Sequence, residues 1–398
     1  MIRHGVNQES IQEMNRTLLL QFLREQEVCS RVYLANKSGL KQATVTNIIN
    51  DFISWGLVCE VGCLAGNKGR RSIGLSINKE DLGVVGIRVT RHGYSAGVFD
   101  LMGNEVLCET VQDKKRYQPK VLMEEIFVKV KFLLEQSKGR QILAMGVALP
   151  GPYNKKKEHI ELMTGIQGWN EIAIKEELES RFGIPVFVEN DANVGALTEY
   201  WRDPETYRNE VLVYIPVGQG VGSGILHGGK LLKGVLGMAG EIGHMSINYK
   251  GPRCACGNYG CLESYCSSMA FTKEINRILA DEKEYIFAEA VDLVQKGNAI
   301  ATEIFHTCCD NLAIGIVNII NSFNPTAIVI DDEMARIAPD MMLERVLRQV
   351  KHRVLPEIFS NVRITIGEID DAMLKGAAFM ASQDILQNVG CYFPLAEV

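Results

Sequence analysis

Three thiols stand within eight residues in "CACGNYGCLES", Cys254 to Ser264. Thiolates so close together, with Gly257 and Gly260 between them, can hold a metal, form a disulfide or simply line a tight turn. A second group is "VENDANVGALTE", Val188 to Glu199, where Asn190 and Asp191 follow an apolar strand-like run. Short polar side chains there either cap the next helix or meet a ligand. A third is the glycine-rich "GQGVGSG" from Gly218, the kind of loop that lets a backbone approach phosphate closely, although a bare glycine turn has the same composition.

These groups need elements to hold them. With 398 residues, 46% hydrophobic, the chain can bury a large core and divides into two or three domains. From Leu82 onward short apolar strands alternate with helices: "VVGIRV", "SAGVFD" and "EVLCET" read as three strands, followed by an amphipathic helix, a strand "ILAMGVALP", a helix and a strand "PVFVEN". The alternation restarts at "EVLVYIPV". Two such α/β units in series predict two lobes with a ligand cleft between them. The N-terminus "MIRHGVNQESIQEMNR" lacks the apolar core of a signal peptide, and no apolar run reaches the roughly 18 to 20 residues that span a bilayer. A cytoplasmic protein without a membrane partner is expected. Most of the eleven cysteines, Cys108 and Cys309 among them, stand singly in apolar contexts, so disulfides are the less favoured use.

The net charge of −6 excludes a wholly basic nucleic-acid protein, yet residues 1–80 carry ten Lys/Arg against seven Asp/Glu. That segment reads as three short helices. Ser30 is placed to cap the second, Gly39 permits the turn into the third, and Val45, Ile48, Ile49 and Phe52 share one face of the third. Gln42, Thr44, Thr46 and Asn47 are left for the other face, with amides and hydroxyls suited to base edges and phosphates. After Gly56 an alternating stretch, interrupted by "GNKGRR", predicts a hairpin whose tip carries Lys68, Arg70 and Arg71. The whole resembles a winged helix-turn-helix, with those seven residues as DNA contacts; three helices and a hairpin serving as a protein-binding module are the bland alternative.

"VENDANVGALTE", "GQGVGSGILHGGKLLKG", "GMAGEIGHM" (Gly237 to Met245) and "CACGNYGCLES" follow one another with the order and spacing of the ROK family, sugar kinases and sugar-responsive repressors of actin/hexokinase-like fold. The resemblance covers essentially the whole chain, because xylose-repressor-like ROK proteins also begin with a winged helix-turn-helix. It implies an α/β protein with a DNA-binding domain over residues 1–80, a first ROK lobe over 81–195 completed by a C-terminal helix in 375–398, and a second lobe over 196–374. It further implies that His244, Cys254, Cys256 and Cys261 hold one structural Zn²⁺, a closed set with no open position for water. Sugar contacts would come from Asn190, Asp191, Glu241, His244 and Glu263, with Gly168 of "TGIQGWN" nearby.

Asp191 matches the base of the family's kinases, but the donor side departs from their pattern. Where they read Asp-x-Gly-Gly-Thr, this chain has Arg88-Val89-Thr90-Arg91-His92. Gln219 replaces a usual threonine, and "DDEMAR" after "TAIVI" replaces a glycine-rich nucleotide loop. ATP and Mg²⁺ are therefore not expected, and Asp191 would be vestigial. The resemblance then implies a repressor of carbohydrate genes, a homodimer or higher homo-oligomer on operator DNA, released by a sugar effector. A sugar kinase with a DNA-binding appendage is the alternative, and a sugar-transport protein as effector is a third possibility.

Overall fold

The computed structural model describes residues 8–64, 72–91, 93–112, 118–137, 139–161, 168–279 and 283–393. The N-terminal head holds α1 (Gln8–Gln26), α2 (Arg31–Ser38) and α3 (Gln42–Ser54), then strands β1 (Val58–Leu64) and β2 (Ser72–Ile77). Ser30 caps α2 by accepting from the Tyr33 N–H at 3.2 Å, and Gly39 ends it with φ 72. β1 and β2 pair antiparallel from Val58↔Ile77 to Leu64↔Ser72, and Cys29 bridges to Leu75 at the hairpin's edge. Three helices and a two-stranded wing follow, as the alternation and caps predict. The proposed tip residues Lys68, Arg70 and Arg71 lie outside the described residues.

The first lobe runs through β3 (Leu82–Thr90), β4 (Gly93–Asp100), β5 (Glu105–Gln112), α4 (Pro119–Gln136), β6 (Gln141–Leu149), the short pair β7 (Tyr153–Asn154) and β8 (His159–Ile160), α5 (Ile174–Phe182) and β9 (Val186–Asn190). Its sheet has the order β5-β4-β3-β6-β9, antiparallel among the first three strands and parallel from β3 onward. α6 (Asp191–Arg202) and α7 (Pro204–Tyr207) lead into the second lobe, with β10 (Val211–Pro216), β11 (Gly224–His227) and β12 (Lys230–Leu231). Helices α8 (Glu263–Cys266), α9 (Ser268–Leu279), α10 (Phe287–Gln295) and α11 (Ala299–Phe323) follow. β13 (Ala327–Asp331), α12 (Pro339–Lys351), α13 (Pro356–Asn361) and β14 (Arg363–Ile366) complete that lobe, before α14 (Ala372–Gln387) and α15 (Val389–Tyr392). The second sheet, β12-β11-β10-β13-β14, repeats the first: three antiparallel strands, then parallel additions. This duplicated α/β unit is the expected two-lobed, actin/hexokinase-like architecture. α6 runs across position 195 and α14 across position 374, so both expected lobe limits fall inside helices.

α11 is long and apolar enough to cross a bilayer by length and composition, a run the sequence reading did not count. It interrupts its apolar residues with Glu303 and Asp310, and it buries Phe305, Cys309, Leu312, Ile316 and Ile320 in the core of the second lobe.

The head is not a separate core. Leu19, Val45 and Phe52 share one apolar cluster with Val84 and Phe99 of the first sheet and with Ala378, Ile385 and Phe393 at the C-terminus. α14 lies directly on that sheet because two strand positions lack side chains. A Cβ on Gly86 would come within 2.9 Å of the Leu374 carbonyl oxygen, and one on Gly146 would overlap the Ala377 carbonyl. Gly146→Ala must therefore push helix and sheet apart, at about 3 kcal/mol. The expected result is a lower urea midpoint for unfolding; an unchanged midpoint would contradict this packing.

Candidate functional site

His244, Cys254, Cys256 and Cys261 converge in the second lobe, and their ligand atoms all lie within 4.8 Å of one another. His244 ends a 3₁₀ turn (Ile242–His244), and its Nδ1 is 3.7 Å from Cys254 Sγ. Cys256 Sγ and Cys261 Sγ are also 3.7 Å apart. Bonds of about 2.3 Å in a tetrahedron put ligand sulfurs about 3.8 Å from each other, so these separations suit one tetrahedral metal ion. The turn is built by short bridges, Arg253↔Tyr259 and Ser246↔Cys261, and by Gly260, φ 65, where a Cβ would overlap the Asn248 carbonyl. Such a site with four protein ligands supplies rigidity rather than a bound water.

Two residues beyond Cys261, Glu263 opens α8 and reaches the cleft between the lobes. Asn190, Asp191, Glu241 and His244 line the same cleft. Asn190 also does what a helix cap does: its side-chain oxygen accepts from the N–H groups of Ala192 and Asn193, while its amide donates to the Gly151 carbonyl at 2.9 Å. Capping and cleft lining thus coexist in one residue. Burial pushes Asp191 up to about 6, with Arg88 opposing and Asp332 reinforcing the shift. Burial, then the charges of Asp191 and Glu263, push Glu241 up to about 7. A cleft with three convergent carboxyl groups can accept from and donate to neighbouring hydroxyls. Gly168 is not brought into this lining; it precedes the 3₁₀ turn Trp169–Glu171, with Pro119 beside it.

The rest of the cleft lining carries ion pairs internal to the chain. Arg88 on β3 donates at 3.0 Å to Asp332, just after β13, and at 3.0 Å to Asp371, which caps α14. Arg91 donates from Nη1 to the Gln219 carbonyl at 2.6 Å, and its Nη2 lies 3.4 Å from Glu263. The glycines of the loop read as phosphate-binding have local partners. A Cβ on Gly218 would strike the Asp332 carboxylate, one on Gly220 would lie 2.6 Å from Glu263 Oε2, and one on Gly224 would strike the Ala192 carbonyl. Arg88 and Arg91 were visible in the sequence only as departures from a kinase loop. Their partners are 128 to 283 residues away, beyond any local pattern.

Next to Asn190 in the chain, buried Glu189 accepts from Lys155 of the first lobe at 2.6 Å and from Lys233 of the second at 3.1 Å. Burial alone would raise this carboxyl; the two ammonium groups more than offset it and hold it below its usual range. This cross-lobe triad was missed by sequence reasoning. Its only signal was the glutamate inside "VENDAN".

On the head, α3 buries Val45, Ile48, Ile49 and Phe52 and turns Gln42 and Asn47 outward, with Thr44 and Thr46 half-exposed. Gln42 and Thr46 follow helical spacing along one stripe, and Asn47 lies about 100° further round the helix, also facing outward.

Two lobes of duplicated topology around a carboxylate-lined cleft, preceded by a winged head, define the actin/hexokinase-like class with a DNA-binding-type extension. The profile described as "ROK family" matches residues 84–384, and the chain belongs to the ROK family. The xylose repressor of Caldicellulosiruptor bescii is 29% identical over 399 residues, covering 96% of this chain and 98% of its own. A crystal structure of a ROK family transcriptional regulator, a homologue of the E. coli MLC protein, is similar with a TM-score of 0.78 at 25% identity, covering 95% of this chain and 97% of its own. The ROK hexokinase from Thermus thermophilus gives a TM-score of 0.62 at 26% identity; 99% of it matches only 76% of this chain.

Proposed function

We propose that the chain is a sugar-responsive DNA-binding repressor of carbohydrate-utilisation genes, released from its operator when a sugar enters the cleft, and that it does not transfer phosphate. One observation carries this reading: Arg88 and Arg91, paired with Asp332, Asp371 and Glu263, stand where the sequence departs from the kinases' phosphate loop, in the same cleft that Asn190, Asp191 and Glu241 line. Phosphoryl transfer depends on cradled phosphates and a metal to neutralise them, and here arginines committed to internal carboxylates replace the residues that would form the cradle. The relatives support the same side. The repressor and the regulator match nearly the whole chain, whereas the hexokinase, matched over 99% of its length, covers only 76% of this chain.

In this reading Asn190, Asp191, Glu241, His244 and Glu263 bind the sugar. One Zn²⁺ held by His244, Cys254, Cys256 and Cys261 would fix the segment between Glu241 and Glu263. Gln42, Thr44, Thr46 and Asn47 read bases, with Lys68, Arg70 and Arg71 on the backbone. A cytoplasmic dimer would set two α3 helices in successive major grooves. Selection of source-genome fragments by the purified protein, repeated with D-xylose and other free sugars, tests the proposal. Enriched fragments that one sugar dissociates are expected; no enrichment, or formation of a sugar phosphate from MgATP, would contradict it. On an enriched fragment, Asn47→Ala should weaken binding about tenfold and relax one base position, leaving random DNA unaffected. Equal losses on both, by fluorescence anisotropy, would remove Asn47 from base readout.

A further inference from the structure

Arg88 touches both lobes and the helix leading back to the head. Its strand, β3, is central in the first sheet; Asp332 follows β13 of the second sheet; Asp371 is the N-cap of α14. Both carboxylates sit on left-handed backbone, Asp332 at φ 75 and Asp371 at φ 40, a region non-glycine residues enter at a cost. The backbone is thus bent at both positions to aim its acids at one guanidinium. Asp371 also accepts from the Leu374 N–H at 3.2 Å, so the ion pair and the helix cap are the same carboxylate.

From that cap α14 runs 16 residues, about 24 Å. Its first half packs on α6, the helix that begins at Asp191: a Cβ on Gly376 would strike Thr198, and Thr198 Oγ1 donates to the Ala372 carbonyl at 2.9 Å. Its second half carries the head. Arg24 of α1 lies 3.5 Å over the Phe379 ring and donates to Gln383 at 2.6 Å. Thr17 donates to the Gln387 carbonyl at 3.1 Å, and Trp55 stacks on Phe393 at 5.9 Å. One helix therefore begins beside Arg88 and ends under α1, and the turn after α15 brings Phe393 to Trp55 at the end of α3.

We propose that Arg88 is a positioning residue that ties α14 to both lobes through Asp332 and Asp371, so that a change of cleft closure moves α14 and, with it, the DNA-binding head. The proposal rests on the repressor reading for its purpose, but the tie itself is a property of the chain alone. Sugar on Asp191, at the start of α6, and the Arg88 pairs act on the same helix interface. A ligand that favours one lobe arrangement then favours one head arrangement, which is all that coupling requires.

The test uses the full chain and two variants, Arg88→Lys and Asp371→Asn; the second keeps an oxygen for the helix cap. Without sugar or DNA, hydrogen exchange is expected to become at least about fivefold faster in α1 and the second half of α14, while β10 and β13 keep their protection and report intact folding. Unchanged exchange of α1 in Asp371→Asn would overturn the proposal, whatever Arg88→Lys does. A second arm takes, from D-xylose, D-glucose and N-acetyl-D-glucosamine, the sugar that raises the wild-type melting temperature, and a genomic fragment the wild type enriches. Asp371→Asn, outside the cleft lining, should bind that sugar within about twofold of wild type, yet the sugar's effect on DNA affinity should fall about tenfold in both variants. Wild-type release by both variants would overturn the proposal. If no sugar shifts the wild type, the repressor reading fails there, and the exchange arm alone decides on Arg88.

Discussion

Cys261→Ser is expected to leave the protein without bound zinc and to lower its melting temperature by on the order of 10 °C. Cys261 is fully buried, faces Cys256 at 3.7 Å and pairs its backbone with Ser246. Structural zinc contributes folding free energy outright, because the unfolded chain holds no preformed site, and a serine hydroxyl is a poor ligand for a thiolate-selective ion. A loss of about 3 to 5 kcal/mol would move the midpoint by roughly that amount in a domain of this size. The effect reaches the cleft, since Glu263 stands two residues from Cys261 and Glu241 three from His244. Elemental analysis should find about one zinc per wild-type chain and none in the variant, with Cys108→Ser as an unaffected control. Metal-free wild-type protein with an unaltered melting temperature would contradict the assignment.

The second large effect is expected at Asp191. Loss of its carboxylate in Asp191→Ala removes about two charge-assisted hydrogen bonds to sugar hydroxyls, together worth about 3 kcal/mol or more, so the sugar's affinity should fall at least about 100-fold. The raised value of about 6 also fixes a sign. A carboxyl whose folded value is raised favours the fold below its unfolded value of 3.8, and that contribution is lost as pH rises through about 6. Sugar binding follows the opposite course where the ionised form accepts the hydroxyl protons: affinity should rise from pH 5 to pH 7. Titration calorimetry with the sugar that stabilises the wild type should show this rise, flattened in Asp191→Asn. Affinity that is constant with pH, or unaffected by Asp191→Ala, would place the sugar elsewhere.

Much of the fold was legible because it is locally written. Ser30 and Gly39 bound α2, the four apolar residues of α3 recur at helical spacing, and strand runs such as "VVGIRV" and "ILAMGVALP" mark buried β-structure. The cluster of His244 with three cysteines was legible as well, the cysteines lying within eight residues. What local pattern could not show is where distant residues meet. Gly218 and Gly220 have the composition of a phosphate loop, yet their missing side chains make room for Asp332 and Glu263. The head's core cannot be separated from the first sheet by composition, since Leu19 and Phe52 meet Ile385 and Phe393 only in three dimensions. Gly168 carried a familiar motif, but the structure sets it against Pro119 rather than in the cleft lining. The lobe limits drawn at 195 and 374 fell within α6 and α14, the two helices that pack on each other between the sheets.

The most direct test is a titration of free sugar into the protein bound to an enriched DNA fragment, followed by fluorescence anisotropy with and without MgATP. Release at the same sugar concentration in both conditions, with no sugar phosphate formed, is the predicted result. Release that requires MgATP, or that coincides with phosphorylation of the sugar, would show a working kinase cleft and contradict the account.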